Sequence, residues 1–134
     1  MQKQYSIPKL KKRLEEVFNA FIRKRDLTDG YGKCISCGKL VLPGSSWHAG
    51  HYFPVSTTYA SLRYNEKNVN GQCSHCNTFL EGNKQGYRQG LIKKYGEGVL
   101  DELDIKRSLP NVKWGPFEYL ALIEEYKKKG KAIK

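Results

Sequence analysis

Leu10, Leu14, Val17, Phe18 and Phe21 recur at three- and four-residue steps through KLKKRLEEVFNAFIRKRD, with lysine, arginine and glutamate between them. That spacing lines one face of a 3.6-residue helix, and Ser6 with Pro8 offers a cap and a first-turn proline. A helix over about 8–26 is predicted, and TDGYG stops it. KLVLPGSSWHAGHYFPV carries short β-prone runs around a Pro-Gly turn, which predicts a two-stranded ribbon with His48 and His51 on its second arm. STTYASLRYNEKNVNGQ shows neither period and reads as irregular. NTFLEGNKQGYRQGLIKKYG reads as a helix interrupted around Gly82 or Gly86 and ending near Gly96. Two further helices are predicted over about 97–106 and 116–129. Pro116 opens the second, and Phe117, Leu120, Ile123 and Tyr126 form its apolar stripe. The end, KKKGKAIK, is a basic tail expected to fray.

The elements together describe a small, mostly helical α+β chain, and 134 residues suit one compact domain spanning 1–134. Charge narrows the partners. Lysine and arginine number 24 against 13 acidic residues, a formal charge of +11, which is the electrostatic footprint of a protein that meets a polyanion, nucleic acid first. No apolar run approaches the roughly 18 residues of a spanning helix, and MQKQYSIPKL lacks the apolar stretch of a secretory signal. No membrane partner and a cytoplasmic location are expected.

In a reducing compartment the four cysteines are more readily metal ligands than disulfides. Cys34 and Cys37 form one C-x-x-C pair and Cys73 and Cys76 another, 35 residues apart. Two such turns can close one tetrahedral thiolate site, and a structural zinc is expected. A redox pair or buried free thiols are the competing readings.

That scaffold frames the chemistry. His48 and His51 lie between the pairs, and Asn77 comes directly after the last cysteine. A histidine facing a rigidly held polar ligand can cut a phosphodiester with one divalent ion, the imidazole taking a proton from water. Each residue also has an ordinary role: a packed histidine, a turn asparagine at 68, a helix cap at Asn77.

On the motifs HYFP, NVNGQC and CSHCN the chain resembles HNH, or ββα-metal, endonucleases. The longer string CISCG, WHAGHY, LRYNEKNVNGQCSHCN, GN, YRQGLI and YG, covering about 33–96, resembles the NinG/Rap recombination endonucleases of lambdoid phages. The site alone also looks like the phage T4 junction resolvase, a homodimeric HNH enzyme. The resemblance implies a zinc-stapled ββα-metal core over about 33–96, between the N-terminal helix and C-terminal helices over about 97–130. It implies His51 as general base, Asn68 as the residue fixing the loop that carries it, and Asn77 as ligand to a catalytic Mg²⁺ or Mn²⁺. The activity implied is DNA backbone hydrolysis leaving 5′-phosphate and 3′-hydroxyl ends, on branched recombination intermediates such as Holliday junctions and displacement loops. In a phage or prophage the location would be the bacterial cytoplasm. Two symmetric cuts across a four-way junction make a homodimer the natural hypothesis.

One position departs from the pattern. Many HNH sites carry an Asp or His ligand directly before the catalytic histidine, where this chain has Gly50. In an extended strand His48 shares that face, about 6.6 Å further back at roughly 3.3 Å per residue, and is the candidate replacement. For DNA, Arg63, Lys84, Arg88, Lys93 and Lys94 are candidate backbone contacts. Asn83 could ligate or touch phosphate, and Tyr52, Tyr64 and Tyr87 could stack on unpaired bases. Two rival functions stay open: a non-catalytic zinc-ribbon module that binds nucleic acid, and an HNH nicking or restriction-type nuclease acting on linear duplex.

Overall fold

The computed structural model describes residues 6–54 and 60–133. Helix α1 (Ile7–Arg25) begins where the Ser6 hydroxyl accepts from the Lys9 amide at 3.4 Å. It buries Leu10, Leu14, Phe18, Phe21 and Ile22. Helix α5 (Pro116–Ala132) packs on that face through Tyr119, Ile123 and Tyr126, with Tyr64 and Val69 completing the larger core. The expected stripe of α5 is therefore displaced at its start: Phe117 is 81 % exposed, and Tyr119 packs in its place. Phe18 meets the Tyr126 ring edge-on at 4.7 Å.

Three short strands come after α1: β1 (Leu27–Thr28), β2 (Tyr31–Lys33) and β3 (Leu40–Val41), antiparallel in that order. Strand β4 (Trp47–His51) carries both histidines, and it does not pair with β3 as the turn chemistry suggested. Its partner is β5 (Val69–Cys73), with His48 opposite Gln72, Gly50 opposite Asn70 and His51 opposite Val69. This strand lies within the stretch expected to be irregular, because Asn, Gly and Gln are poor strand formers. Burial overrides propensity here, since all five residues of β5 are buried. The same stretch holds a short helix, α2 (Ala60–Arg63). Residues 55–59 lie outside the described residues.

A single π-helical turn (His75–Phe79) succeeds β5. Helix α3 (Lys84–Tyr95) starts after a break at residues 80–83, where Gly82 and Asn83 take left-handed backbone angles, and Gly86 lies inside the helix rather than breaking it. Gly86 and Gly90 instead make a notch. A Cβ on Gly90 would fall 1.8 Å from the Ile35 carbonyl oxygen, and one on Gly86 would fall 2.3 Å from that of Ser36. The helix thus rests directly on the backbone of the first cysteine turn. Helix α4 (Val99–Ser108) packs on α3 through Leu62, Tyr87, Leu91, Val99 and Leu103, the smaller core. The architecture is a small α+β domain with the β4–β5 ribbon between two helical layers. Among the described residues no helix is long and apolar enough to cross a membrane.

Candidate active site and metal centre

Cys34 lies just past β2, Cys37 sits in the next turn, Cys73 ends β5, and Cys76 lies in the π-helical turn. Their four Sγ atoms all fall within 4.8 Å of one another. Thiolates around a tetrahedral zinc at about 2.3 Å stand about 3.8 Å apart, and the Cys37 and Cys73 sulfurs are 3.8 Å apart. The Cys76 amide approaches Cys73 Sγ at 3.5 Å, and Asn83 Nδ2 donates to Cys76 Sγ at 3.4 Å. This cluster could hold a metal ion such as zinc.

The cluster also fixes the position of Asn77. That residue is one beyond Cys76, inside the π-helical turn rather than at a helix cap, and its Nδ2 lies 2.9 Å from His48 Nδ1. His48 Nε2 lies 3.0 Å from the Ser45 carbonyl oxygen. A carbonyl only accepts, so Nε2 carries the proton and Nδ1 accepts from Asn77. The carboxamide is attached through a two-fold torsion, and half a turn would present Oδ1 to the same space. Neighbouring ligands on an octahedral ion at about 2.1 Å stand about 3.0 Å apart, so an imidazole nitrogen and an amide oxygen at this spacing fit one Mg²⁺ or Mn²⁺.

His51 is held from the other side. Its Nε2 donates to the Arg63 carbonyl at the end of α2, at 2.9 Å. That bond leaves Nδ1 as the basic nitrogen. Burial pushes the His51 pKa below its ordinary 6.5, the Arg63 and Lys84 charges add to the effect, and the hydrogen bond to Arg63 and the charge of Glu15 oppose it. The imidazole is accordingly neutral at pH 7. His51 lines a groove of about 320 Å³ with Asn77, Glu15, Asn19, Glu81 and Lys84.

Asn68, fully buried, fixes the chain leaving His51. Its Oδ1 accepts from the Phe53 amide at 2.9 Å, and its Nδ2 donates to the carbonyls of Leu62 at 3.0 Å and Phe53 at 3.3 Å. Its own carbonyl accepts from the Tyr52 amide at 2.8 Å. One side chain thus ties the segment after β4 to the end of α2, the two pieces that carry His51 and its carbonyl partner.

Gly50 faces the opposite side of the ribbon from His51. A Cβ there would fall 2.0 Å from Gln72 Oε1, so no side chain fits unless Gln72 moves.

Several candidate contacts turn out differently. Tyr87 is buried with no exposed surface, and its hydroxyl donates to the Gly50 carbonyl at 2.6 Å. It cannot stack on a base, and Tyr64, 8 % exposed, is also largely core. Lys94 donates to Asp26 Oδ1 at 3.0 Å and Asn70 Oδ1 at 2.7 Å, balancing a carboxylate at the end of α1 rather than standing ready for phosphate. Asn83 caps α3 by accepting from the Gly86 amide at 3.4 Å and closes the cysteine cluster. Of the remaining candidate cations, Lys84 lines the His51 groove. Lys84 sits over the Tyr52 ring at 4.8 Å. Arg88 lines a second groove with Tyr52 and Phe53. Lys93 lines a third, beside the first cysteine turn. Arg63 contributes its carbonyl to His51.

Sequence reasoning missed the carbonyl of Arg63, the α1 residues Glu15 and Asn19, and Gln72. Only Gln72 carries a local signal: a polar residue directly before a cysteine of the second C-x-x-C pair in a buried strand.

The family model described as "Bacteriophage Lambda NinG protein" matches residues 2–134. "Protein ninG" of Escherichia phage lambda is 38 % identical over 125 residues, 92 % of this chain and 56 % of the relative. "Protein ninG" of Salmonella phage P22 is 39 % identical over 127 residues, 92 % of this chain and 57 % of the relative. That of Escherichia phage 933W is 36 % identical over 125 residues, with the same coverage as P22. The chain spans somewhat more than half the length of these relatives. No solved structure matches it.

Proposed function

The chain belongs to the NinG family, and we propose that it is a metal-dependent DNA endonuclease that hydrolyses phosphodiester bonds in branched recombination intermediates. The observation that carries this reading is His51. Its Nε2–H is spent on the Arg63 carbonyl, which leaves Nδ1 as the basic nitrogen, and burial keeps the ring neutral beside a groove that also contains Asn77.

In the proposed reaction, His51 Nδ1 takes a proton from the attacking water while the Arg63 carbonyl holds the ring and the positive charge it acquires. Asn68 keeps both in register. Asn77 and His48 are the residues that would hold Mg²⁺ or Mn²⁺, which supplies charge stabilisation at the phosphate and the leaving oxygen. The four cysteines hold zinc and anchor Asn77. Lys84, Arg88, Lys93 and Arg63 are the candidate backbone contacts, reading junction shape rather than bases. A phage protein of this kind works in the bacterial cytoplasm, as a homodimer where two strands are cut.

The test uses labelled four-way junctions, flaps and linear duplex with wild type and His51→Ala, in Mg²⁺, Mn²⁺ or chelator. Divalent-dependent cleavage favouring branched DNA, lowered about 10²- to 10⁴-fold in His51→Ala, is expected. Equal activity in the two proteins would remove His51 as the base. Comparable cutting of linear duplex would favour a nicking enzyme, and salt-sensitive binding without cleavage in any metal would favour a non-catalytic module.

A further inference from the structure

Gln72 has an unusual position. It is fully buried on β5, directly opposite His48, in a strand where every residue is buried. Its Nε2 is well used, donating to the Ser36 hydroxyl at 2.8 Å and the Gly82 carbonyl at 2.7 Å. These two bonds pin the carboxamide between the first cysteine turn and the lip of the His51 groove, which Gly82 also lines. Its Oε1 has no hydrogen-bond partner among the described residues. An orphaned buried oxygen is costly, and a native structure that keeps one commonly reserves it for an ion or water.

The orphan points at a definite place. It sits 2.0 Å from the point where a residue other than glycine at position 50 would carry its Cβ. Gly50 thus leaves a space that the Gln72 oxygen enters from the neighbouring strand. His48 is the partner of Gln72 across the ribbon, and the Asn77 amide lies 2.9 Å from His48 Nδ1. Strands β4 and β5 and the π-helical turn thus supply one imidazole and two carboxamides from adjoining positions, and with the Asn77 amide turned by half a rotation these offer one nitrogen and two oxygens, a neutral donor set suited to Mg²⁺ or Mn²⁺.

We propose that Gln72 Oε1 is a ligand of the divalent ion, supplying across the strand pair the oxygen that Gly50 cannot. This rests on the nuclease reading insofar as an ion binds at Asn77 and His48. It predicts a coupled pair of positions: a ligand comes from residue 72 when residue 50 is glycine, and residue 50 can supply one only when residue 72 is made small.

Mn²⁺ binding to the zinc-loaded full chain tests this without any cleavage assay, by the electron paramagnetic resonance signal of free Mn²⁺ and by the Mn²⁺-dependent rise in melting temperature. Gln72→Leu is expected to weaken Mn²⁺ binding about tenfold or more with zinc content retained. Gln72→Glu loses the donation to the Gly82 carbonyl and should be less stable without metal, but its Mn²⁺-dependent rise is expected to be larger than that of wild type, because a carboxylate binds the ion more strongly than an amide. Gly50→Asp alone should clash, whereas Gly50→Asp with Gln72→Ala should recover Mn²⁺ binding. A purely structural Gln72 would lower stability in both residue-72 variants and leave the Mn²⁺ response of Gln72→Glu no larger than wild type, which overturns the proposal. Unchanged affinity in folded Gln72→Leu overturns it too. If His51-dependent cleavage persists while residue 72 leaves Mn²⁺ binding untouched, the nuclease reading stands and this inference falls. Absence of Mn²⁺ binding to wild type removes both the ligand and the divalent ion of the proposed reaction.

Discussion

The Tyr87 hydroxyl of α3 donates a 2.6 Å hydrogen bond to the Gly50 carbonyl, the peptide immediately before His51. The same oxygen accepts from Asn70 Nδ2 at 3.2 Å and approaches the Asn68 carbonyl at 3.3 Å, so one buried phenol joins the helix after the break to both strands of the ribbon. Burial pushes its pKa far up, and the group stays a donor throughout the working range.

Tyr87→Phe keeps the ring and leaves two buried carbonyls and an amide short of a partner. A loss of about 1–3 kcal/mol is expected, read as a fall in the denaturant midpoint at unchanged slope.

Asn68→Ala removes three hydrogen bonds at once, those to the Phe53 amide, the Phe53 carbonyl and the Leu62 carbonyl. About 2–4 kcal/mol of stability should be lost. If the nuclease reading holds, turnover measured well below the melting temperature should fall at least tenfold, because the loop that aims His51 is no longer tied to α2. Unimpaired turnover would show that His51 is held by the Arg63 carbonyl alone.

If the nuclease reading holds, the lowered pKa of His51 sets the acid limb of activity. A base works only when neutral, so the rate should hold at pH 7 and decline below the ordinary value of 6.5. The same shift acts on stability. A histidine depressed in the folded state contributes stability that is present above the unfolded pKa near 6.5 and lost as pH falls through the lower folded value. Comparison of wild type with His51→Gln by pH-dependent melting should isolate this loss, with the two curves converging as pH drops.

Asp26 ends α1 and accepts from Arg25 Nε and Nη2 at 2.8 and 3.0 Å, from the Gly71 amide at 2.7 Å and from Lys94 at 3.0 Å. Burial alone would raise its pKa, but these bonds and charges outweigh burial and lower it from 3.8. Its contribution is therefore full above pH 3.8 and lost as pH falls through the folded value. Asp26→Asn should cost about 2–3 kcal/mol at pH 7, and the difference from wild type should shrink in acid.

Stripping metal from the cysteine cluster should unfold the ribbon, because Cys34, Cys73 and Cys76 are buried and join β2, β5 and the π-helical turn. A strong chelator or Cys73→Ser should lower the melting temperature by more than about 10 °C, with recovery on adding zinc to the chelated wild type. A melting temperature indifferent to chelator would mean that the four thiols pack without an ion.

The features legible in the sequence obey local rules. The α1 stripe at Leu10, Leu14, Phe18 and Phe21 was legible because helical periodicity repeats within one segment. The cysteine cluster was legible because each pair is a turn of fixed length. The pairing of β4 was not. A Pro-Gly turn at residues 43–44 suggested β3 as its neighbour, yet β5, a strand of VNGQC, takes that place. Its residues have little strand propensity, and what holds them extended is burial between α1 and α3 and the cysteine at its end, which joins the four-thiol cluster.

The site divides along the same line. Sequence by itself identified the residue types and their spacing: two histidines between two cysteine pairs, and an asparagine after the last. Tertiary structure alone decided that Asn77 touches His48, that a carbonyl from α2 sets the His51 tautomer, and that Gln72 fills the space beside Gly50. Spacing encodes contacts only within a few residues of chain. Contacts of β4 with α2, the π-helical turn and α3 span from 12 to 37 residues of sequence, and they form only when the two cores and the cysteine cluster have brought those elements together.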